Sequence, residues 1–155
     1  YAHERVLKSL YKRFDYIFVK ENKYPGVLTL NDHQITDTPF FVGNKEIQPI
    51  NVLHNSLPIF GFRIDAFAYI TDAKTVSDRE VEKLHNLDVL VINALRIEPH
   101  VSHFNLEEAL VFIKLVNPKR AFITHISHHL GFHEDVEKSL PSNVKLAYDQ
   151  LQISL

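Results

Sequence analysis

The chain has 155 residues, 45% of them apolar, and its 17 basic and 19 acidic residues leave a formal net charge of −2. This length suffices for one globular domain with its own core, and the near balance of charge argues against a nucleic-acid binder that works through a basic surface. No apolar run approaches the roughly 20 residues of a membrane span, and the absence of cysteine excludes a disulfide or a cysteine-based zinc site within the chain and fits a cytoplasmic location.

The first half of the chain predicts one helix followed by strands. Ala2 to Phe14 places its apolar residues on one face of a helix, and Asp15 to Val19 predicts a short strand. Lys20 to Thr38 is a polar connector with a turn signal at Pro25-Gly26. The apolar runs that follow predict four strands, at Phe40–Val42, Glu46–Leu53, Leu57–Ile64 and Ala66–Thr71.

The second half alternates strands with helices. Ser77 with Glu80 forms a capping box that predicts a helix to about Leu84, and Asn105 with Glu108 predicts a second one. The remaining predicted elements are two buried strands, a short helix and a closing hairpin, at Val89–Ile92, Ala121–Thr124, His133–Ser139 and Val144–Tyr148 with Leu151–Ser154. Strands in a meander followed by strand–helix alternation predict a layered α/β sandwich with helices outside.

Polar side chains stand at the ends of three apolar runs. His54 ends Gln48-Pro-Ile-Asn-Val-Leu-His54, Asp72 ends Ala66-Phe-Ala-Tyr-Ile-Thr-Asp72, and His125 ends Arg120-Ala-Phe-Ile-Thr-His125. His103 precedes the second predicted helix. Imidazoles and a carboxylate at one rim of a sheet are the groups that a hydrolytic metal site needs.

Each of these residues also has an ordinary structural interpretation. His54 alone would more often be a hydrogen-bonded core histidine, Asp72 a helix cap or turn residue, and His125 a polar strand terminus. His103 and its neighbour His100 would simply be exposed in a loop. The metal hypothesis therefore depends on these side chains meeting in space.

Several segments taken together resemble one family. They are Leu57-Pro-Ile-Phe-Gly-Phe-Arg-Ile64, Tyr69-Ile-Thr-Asp-Ala-Lys74, Leu90-Val-Ile-Asn-Ala-Leu-Arg96, His103-Phe-Asn-Leu-Glu-Glu-Ala-Leu110 and Phe122-Ile-Thr-His-Ile-Ser-His128. With them the chain resembles the C-terminal part of a metallo-β-lactamase-fold hydrolase, of the branch that holds PhnP-type cyclic phosphodiesterases and is related to tRNase Z. The resemblance implies an αββα sandwich, of which residues 1–155 form the C-terminal portion of a single domain. The absence of methionine, even at position 1, agrees with a longer protein, unless modified methionines are missing from the sequence.

The resemblance also implies a role for each site residue. His54, Asp72 and His125 match metal ligands, with Asp72 bridging two divalent ions, either Zn or Mn. His103 matches the catalytic histidine held near the scissile phosphate. His128 matches a ligand that joins three cysteines around a structural zinc in many relatives, and this role depends on a segment outside the sequence.

The family's His-x-His-x-Asp-His motif, which supplies the other metal ligands, occurs nowhere in the 155 residues. The fragment alone is therefore expected to be an incomplete enzyme.

The resemblance implies a cytoplasmic metal-dependent hydrolase. Its substrate would be a small phosphodiester, cyclic in some relatives, attacked by a hydroxide that two metals activate. A homodimer is expected because relatives are commonly dimers, and neither nucleic acid nor membrane is implied as a partner. Two alternatives stay open: a hydrolase of esters, thioesters or lactones with the same fold, and a non-catalytic binding domain.

Overall fold

The structure, a computed structural model, describes residues 1–19 and 25–155. Its elements in chain order are β1 (Ala2–His3), α1 (Glu4–Arg13), α2 (Asp15–Phe18), β2 (Gln34–Ile35), β3 (Phe40–Val42), β4 (Lys45–His54), β5 (Leu57–Ile64), β6 (Phe67–Ile70), β7 (Thr75–Val76), α3 (Asp78–Glu82), β8 (Val89–Asn93), α4 (Leu106–Val116), β9 (Arg120–Thr124), a 3₁₀ turn (His128–Leu130), α5 (His133–Ser139) and β10 (Val144–Leu146). No helix within these residues is both long and apolar enough to cross a membrane.

One sheet of eight strands dominates the described part of the chain. Its order is β10-β9-β8-β6-β5-β4-β3, and β7 pairs with β4. Strands β3 to β6 form an antiparallel meander, whereas β6, β8, β9 and β10 are parallel. Because β4 is antiparallel to β5 and β5 to β6, β4 runs in the same direction as β6. The carboxyl ends of β4, β6, β8 and β9 therefore lie at one edge of the sheet, which is where sheets of this kind bind ligands.

Helices α3, α4 and α5 cover one face of this sheet. Alternate residues of each strand point to that face, so that the strands contribute every second apolar side chain to a single core. The largest wholly buried side chains of the core include Ile50, Ile70, Leu84, Leu90, Ile92 and Ile123. Each such burial contributes about 1.5–3 kcal/mol before conformational entropy is counted.

The opposite face of the sheet is apolar but only partly covered. Val89, Val91 and Phe122 form a small second cluster, against which Leu151 and Ile153 pack. Tyr69 lies on the same face, opposite Phe62 of β5 and Val91 of β8, and 43% of its surface is exposed. A large aromatic side chain half exposed in the middle of a sheet is unusual where β6 joins the parallel strands, because parallel strands normally have both faces buried.

The predicted strand at 15–19 is wrong, because α2 is a helical turn. The side chain of Asp15 accepts a hydrogen bond from the amide of Tyr16 at 2.8 Å, and the amide of Val19 donates to the Asp15 carbonyl. Phe18 packs edge-on against Tyr11 of α1, with ring centroids 4.7 Å apart. Within residues 1–19 and 25–155 no strand pairs with this apolar run, which instead forms a turn that packs against the preceding helix.

The predicted closing hairpin is also wrong. Val144–Leu146 is a strand, but it pairs in parallel with β9 instead of with the residues that follow it. Residues 151–154 are not a strand; Leu151 and Ile153 cover the second face, and Arg120 donates to the Ser154 carbonyl at 2.7 Å. The free edge of β9 supplied a better hydrogen-bonding partner than a local turn could.

The two capping boxes have different outcomes. At α4 the box is confirmed: the Asn105 side chain accepts from the Glu108 amide, and the Glu108 carboxylate accepts from the Asn105 amide. At α3 no side-chain cap forms, and the helix ends at Glu82. Buried Glu80 instead accepts hydrogen bonds from the Asn51 amide of β4 and from Lys83, both at 2.8 Å. Its carboxylate thus joins the helix to the sheet.

Of the predicted connector at 20–38, residues 20–24 lie outside the described residues, and Gln34–Ile35 forms the short strand β2.

Candidate metal centre

Four side chains from distant parts of the chain meet at the carboxyl edge of the sheet. The Oδ1 atom of Asp72 lies 3.1 Å from Nε2 of His103 and 3.3 Å from Nε2 of His125. The rings of His54 and His103 are in edge contact, with centroids 4.6 Å apart, and those of His103 and His125 are stacked at 4.8 Å. The four residues that the sequence singles out are therefore brought together.

The strand ends place three of these side chains. His54 is the last residue of β4, and Asp72 and His125 follow β6 and β9 within two residues. Asp72 and His125 have φ angles of 59° and 57°, in the left-handed region. At each of these points the backbone leaves its strand abruptly, which turns the side chain back over the edge of the sheet.

The backbone next to Asp72 is fixed by a wholly buried asparagine. Asn93, at the end of β8, accepts from the Ala73 amide at 2.8 Å and donates to the Ala73 carbonyl at 3.0 Å. On the other side, the Lys74 amide donates to the Leu53 carbonyl at 2.7 Å. The segment that carries Asp72 is thus bound to β8 and to β4, the strand that ends at His54.

The loop that carries His103 is held just as firmly. The Phe104 amide donates to the Ala73 carbonyl at 2.8 Å, and the Leu95 amide donates to the Phe104 carbonyl at 2.9 Å. The Asn105 cap then begins α4, and Lys74 binds both oxygens of Glu108 at 2.6 and 2.8 Å. His103 is consequently buried, with 8% of its surface exposed, although it stands in a loop.

Burial and hydrogen bonding shift the pKa values of Asp72 and His103. Burial alone would raise the pKa of Asp72, but hydrogen bonds from His103 and Thr71 and the nearby charge of His125 together bring this pKa below its ordinary value. Burial is the main reason that the pKa of His103 is lowered, reinforced by His125 and His54 and opposed by the carboxylate. At neutral pH the arrangement is therefore an ionised carboxylate beside a neutral imidazole.

The donor set fits a divalent cation. Among the described residues, one group of three has its candidate ligand atoms within 4.8 Å of one another: His54, Asp72 and His103. His125 reaches the same carboxylate oxygen. Neutral imidazoles and a carboxylate are the ligands that Zn²⁺ and Mn²⁺ both accept. The geometry places His103 as close to this group as the predicted ligands, so the division between ligands and catalytic histidine stays a prediction.

His128 lies apart from this group. It is exposed in the 3₁₀ turn, and its ring contacts that of His129, with centroids 3.9 Å apart. Its predicted role as a structural zinc ligand is therefore neither supported nor excluded by its surroundings, and it stays a prediction.

Sequence reasoning missed residues that support the site from behind. Asn93 was hidden within an apolar strand, where a single asparagine gives no distinctive pattern. His100 and Ser102 contact the far side of the His103 ring. The sequence signal for Asn93 is its place at the end of an apolar run that is typical of a buried parallel strand. An amide buried there needs hydrogen-bonding partners for both its oxygen and its nitrogen.

Known structures share this architecture. A crystal structure described as a new diphosphatase from the PhnP family is 30% identical, with a TM-score of 0.89, and the match covers 100% of this chain and 57% of that one. Zinc-bound PqqB from Methylobacterium extorquens is 14% identical, with a TM-score of 0.74 and coverage of 100% and 64%. Human tRNase Z, short form, is 22% identical, with a TM-score of 0.58 and coverage of 74% and 45%. The last two similarities concern the fold alone.

The chain is also similar in sequence to a protein named as a transferase. An octanoyltransferase of Porphyromonas gingivalis (strain ATCC BAA-308 / W83) is 34% identical over 154 residues, which are 98% of this chain and 31% of that protein. The chain thus spans about a third of this relative and 57% of the diphosphatase.

The predicted fold and resemblance are both confirmed: this is a metallo-β-lactamase-like α/β fold. The sequence model of the family described as "Beta-lactamase superfamily domain" matches residues 1–126, which is most of the chain. The chain therefore belongs to the β-lactamase superfamily.

Proposed function

We propose that the protein is a metal-dependent phosphodiesterase that acts on a small phosphodiester, cyclic or linear. The observation that carries the proposal is the buried imidazole of His103 beside the Asp72 carboxylate, at 3.1 Å. Such an imidazole can donate a hydrogen bond to a departing alkoxide. The similarity to a diphosphatase of the PhnP family supports a phosphoryl substrate.

In this proposal His54, Asp72 and His125 hold divalent cations. Once bound, these ions supply Lewis acidity, which lowers the pKa of a water and neutralises charge on phosphoryl oxygens. The carboxylate of Asp72 is ionised and turned toward the edge of the sheet, ready to bind without a change of backbone. Asn93 and the Lys74 amide prevent it from turning away. The number of metals and their identity, Zn or Mn, belong to the proposal.

His103 acts on the leaving group. Its Nε2 atom faces the cluster, while its burial keeps competing water away from the ring. The leaving group of a phosphodiester departs as an alkoxide, whose developing negative charge a hydrogen bond from Nε2 of the neutral imidazole would stabilise. The stacked ring of His125 restricts rotation of the imidazole.

Replacement of His103 by alanine is expected to lower kcat for a chromogenic phosphodiester by about 100-fold or more, because a positioned hydrogen-bond donor to developing negative charge contributes that much. Metal content, measured by elemental analysis, should change little if His54, Asp72 and His125 are the ligands. The matched control is His85→Ala, which removes an exposed histidine in the turn after α3. Full turnover by His103→Ala would show that the proposed role of His103 at the leaving group is wrong.

An acyl substrate is the second candidate. The octanoyltransferase relative carries an acyl-group chemistry in its name, although the matched segment is about a third of that protein. Parallel assays with a phosphodiester, a diphosphate, a thioester and a lactone separate the candidates. Preferential turnover of the thioester or lactone would replace the phosphodiesterase proposal, and a protein that retained less than about one equivalent of transition metal would favour the binding-domain alternative.

We further propose that the chain forms one half of a sandwich, and that another segment of the same protein covers the open face around Tyr69. Support comes from that face itself, because aromatic side chains half exposed in a central strand need a second layer. The predicted homodimer and cytoplasmic location stay predictions.

Thiol labelling tests this layer, since the chain has no cysteine of its own. A Tyr69→Cys variant should be protected in the whole protein and labelled in residues 1–155 alone. Val111→Cys, on the 65% exposed position of α4, should be labelled in both. Rapid labelling of Tyr69→Cys in the whole protein would contradict the proposal.

A further inference from the structure

Helix α4 is apolar on the side that faces away from the sheet as well as on the side that packs against it. The side chains buried in the core are Ala109, Phe112, Ile113 and Val116. Val111 and Leu115 point outward, with 65% and 56% of their surfaces exposed. A helix that is apolar all round is normally buried on every side. The layer proposed above covers the other face of the sheet, so it leaves this side of α4 open.

The outward side of α4 is a ridge between two grooves. Glu107 and Val111 line both grooves, which run on either side of the helix. The larger groove, of about 660 Å³, lies between α4 and residues 141–144. The apolar part of its lining comes from Ile97, Leu106, Leu110, Ile113, Pro141 and Val144. Because one surface carries both a ridge and a groove, a second copy related by a two-fold axis can insert its ridge into this groove while receiving the ridge of the first.

Two charged residues flank the apolar centre of the ridge. Glu107 and Lys114 stand on either side of Leu110 and Val111, at equal distances along the sequence from the midpoint between them. They are about 10.5 Å apart along the helix axis, beyond the spacings of three and four residues at which charges on a helix pair. Within the part of the chain that the structure describes, neither forms an ion pair. Each is therefore available to pair with a charge on another molecule.

We propose that two copies of this chain associate through α4, antiparallel to each other about a two-fold axis that passes between Leu110 and Val111. This arrangement sets Glu107 of each copy beside Lys114 of the other, so that the interface has two identical ion pairs. Val111 of each copy enters the groove of the other, which gives an apolar centre and a charged rim, the usual anatomy of a protein interface.

The charges favour a second copy over an unrelated partner. A second copy carries the same two charges at the same spacing, whereas an unrelated protein would need to match both. The proposal names the surface, which the expectation of a homodimer does not. It is independent of the hydrolytic activity, because this surface lies on the outer side of α4.

Charge reversal tests the pairing, with the dissociation constant of the whole protein measured by sedimentation velocity over a range of concentrations. The unchanged protein should dimerise. In Glu107→Lys a like charge faces Lys114, and in Lys114→Glu a like charge faces Glu107, so either variant should associate about 10-fold or more weakly. An equal mixture of the two should recover dimers, because opposite charges then face each other at both ends of the interface. The matched control is Glu134→Lys, the same change at the second residue of α5, which should have no effect.

The apolar centre has its own test. Val111→Asp places two like charges at the buried axis and should abolish association. The thiol of Val111→Cys, kept reduced, should be labelled in dilute protein and become protected as the concentration rises through the dissociation constant. Phe132→Cys, at a position that is 83% exposed, should be labelled at every concentration.

Three results would overturn the proposal. The first is a protein that is monomeric at every concentration, or a dimer that Val111→Asp leaves intact. The second is a loss of dimer in Glu107→Lys that mixing with Lys114→Glu does not recover, because the two charges would then not face each other. The third is protection of Val111→Cys at every dilution, which would mean that another segment of the same protein covers α4.

Discussion

Replacing Asp72 with asparagine is expected to lower kcat/KM of the metal-loaded protein by about 1,000-fold or more, since a ligated metal supplies several kcal/mol of transition-state stabilisation. The amide has nearly the shape of the carboxylate but is neutral, and its nitrogen cannot bind a cation. Steady-state kinetics and elemental analysis of the same preparations measure the loss. Both activity and bound metal should fall together.

Asp88→Asn is the matched control for this substitution. Asp88 immediately precedes strand β8. Its side chain forms an exposed ion pair with Lys119 at 2.7 Å, a contact worth less than about 1 kcal/mol. It should retain both activity and metal. If Asp72→Asn kept its full metal content and turnover, the carboxylate could not be the central ligand, and the proposed site would be wrong.

Asn93→Ala is expected to have the largest effect on stability. The substitution removes both hydrogen bonds between the Asn93 side chain and the Ala73 backbone. It leaves the buried backbone N–H of Ala73 without a partner, at a cost of about 2–3 kcal/mol. For a chain of this size such a loss lowers the melting temperature by roughly 5–10 °C. Metal affinity should fall as well, because Asp72 loses the anchor beside it. Calorimetry with and without added Zn²⁺ measures both effects.

A matched asparagine lies far from the site. Asn143 is exposed, and its side chain donates one long hydrogen bond of 3.4 Å to the Pro118 carbonyl. Asn143→Ala should therefore cost less than about 1 kcal/mol and leave metal affinity unchanged. Equal losses of stability in the two variants would mean that Asn93 has no special part in holding the segment that carries Asp72.

The candidate site was predictable because its chemistry stands where strands end. Apolar runs predict the course of β4, β6 and β9, and in each a side chain able to bind a metal comes at or just past the last residue. Because β4, β6 and β9 run in the same direction, those ends lie at one edge of the sheet. The convergence of His54, Asp72 and His125 thus follows from strand boundaries and strand direction together, both of which leave a trace in the sequence.

Long-range choices of partner were not predictable in the same way. The segment 144–154 alternates as a hairpin would, yet β10 pairs with β9, because an unpaired strand edge was available there. Glu80 has the spacing of a capping residue, yet its carboxylate binds the Asn51 amide in the sheet. In both cases a local pattern was satisfied by a distant hydrogen-bonding group, whose position no short stretch of sequence contains.

The left-handed conformations of Asp72 and His125 place the stability of the fold and the chemistry of the site in conflict. A side chain in this region costs about 1 kcal/mol relative to glycine, so glycine at either position would relax the backbone and make the isolated fold more durable. It would also delete the group that the site needs. An engineering programme that screened this protein for heat resistance alone would thus be drawn toward the very substitutions that silence it.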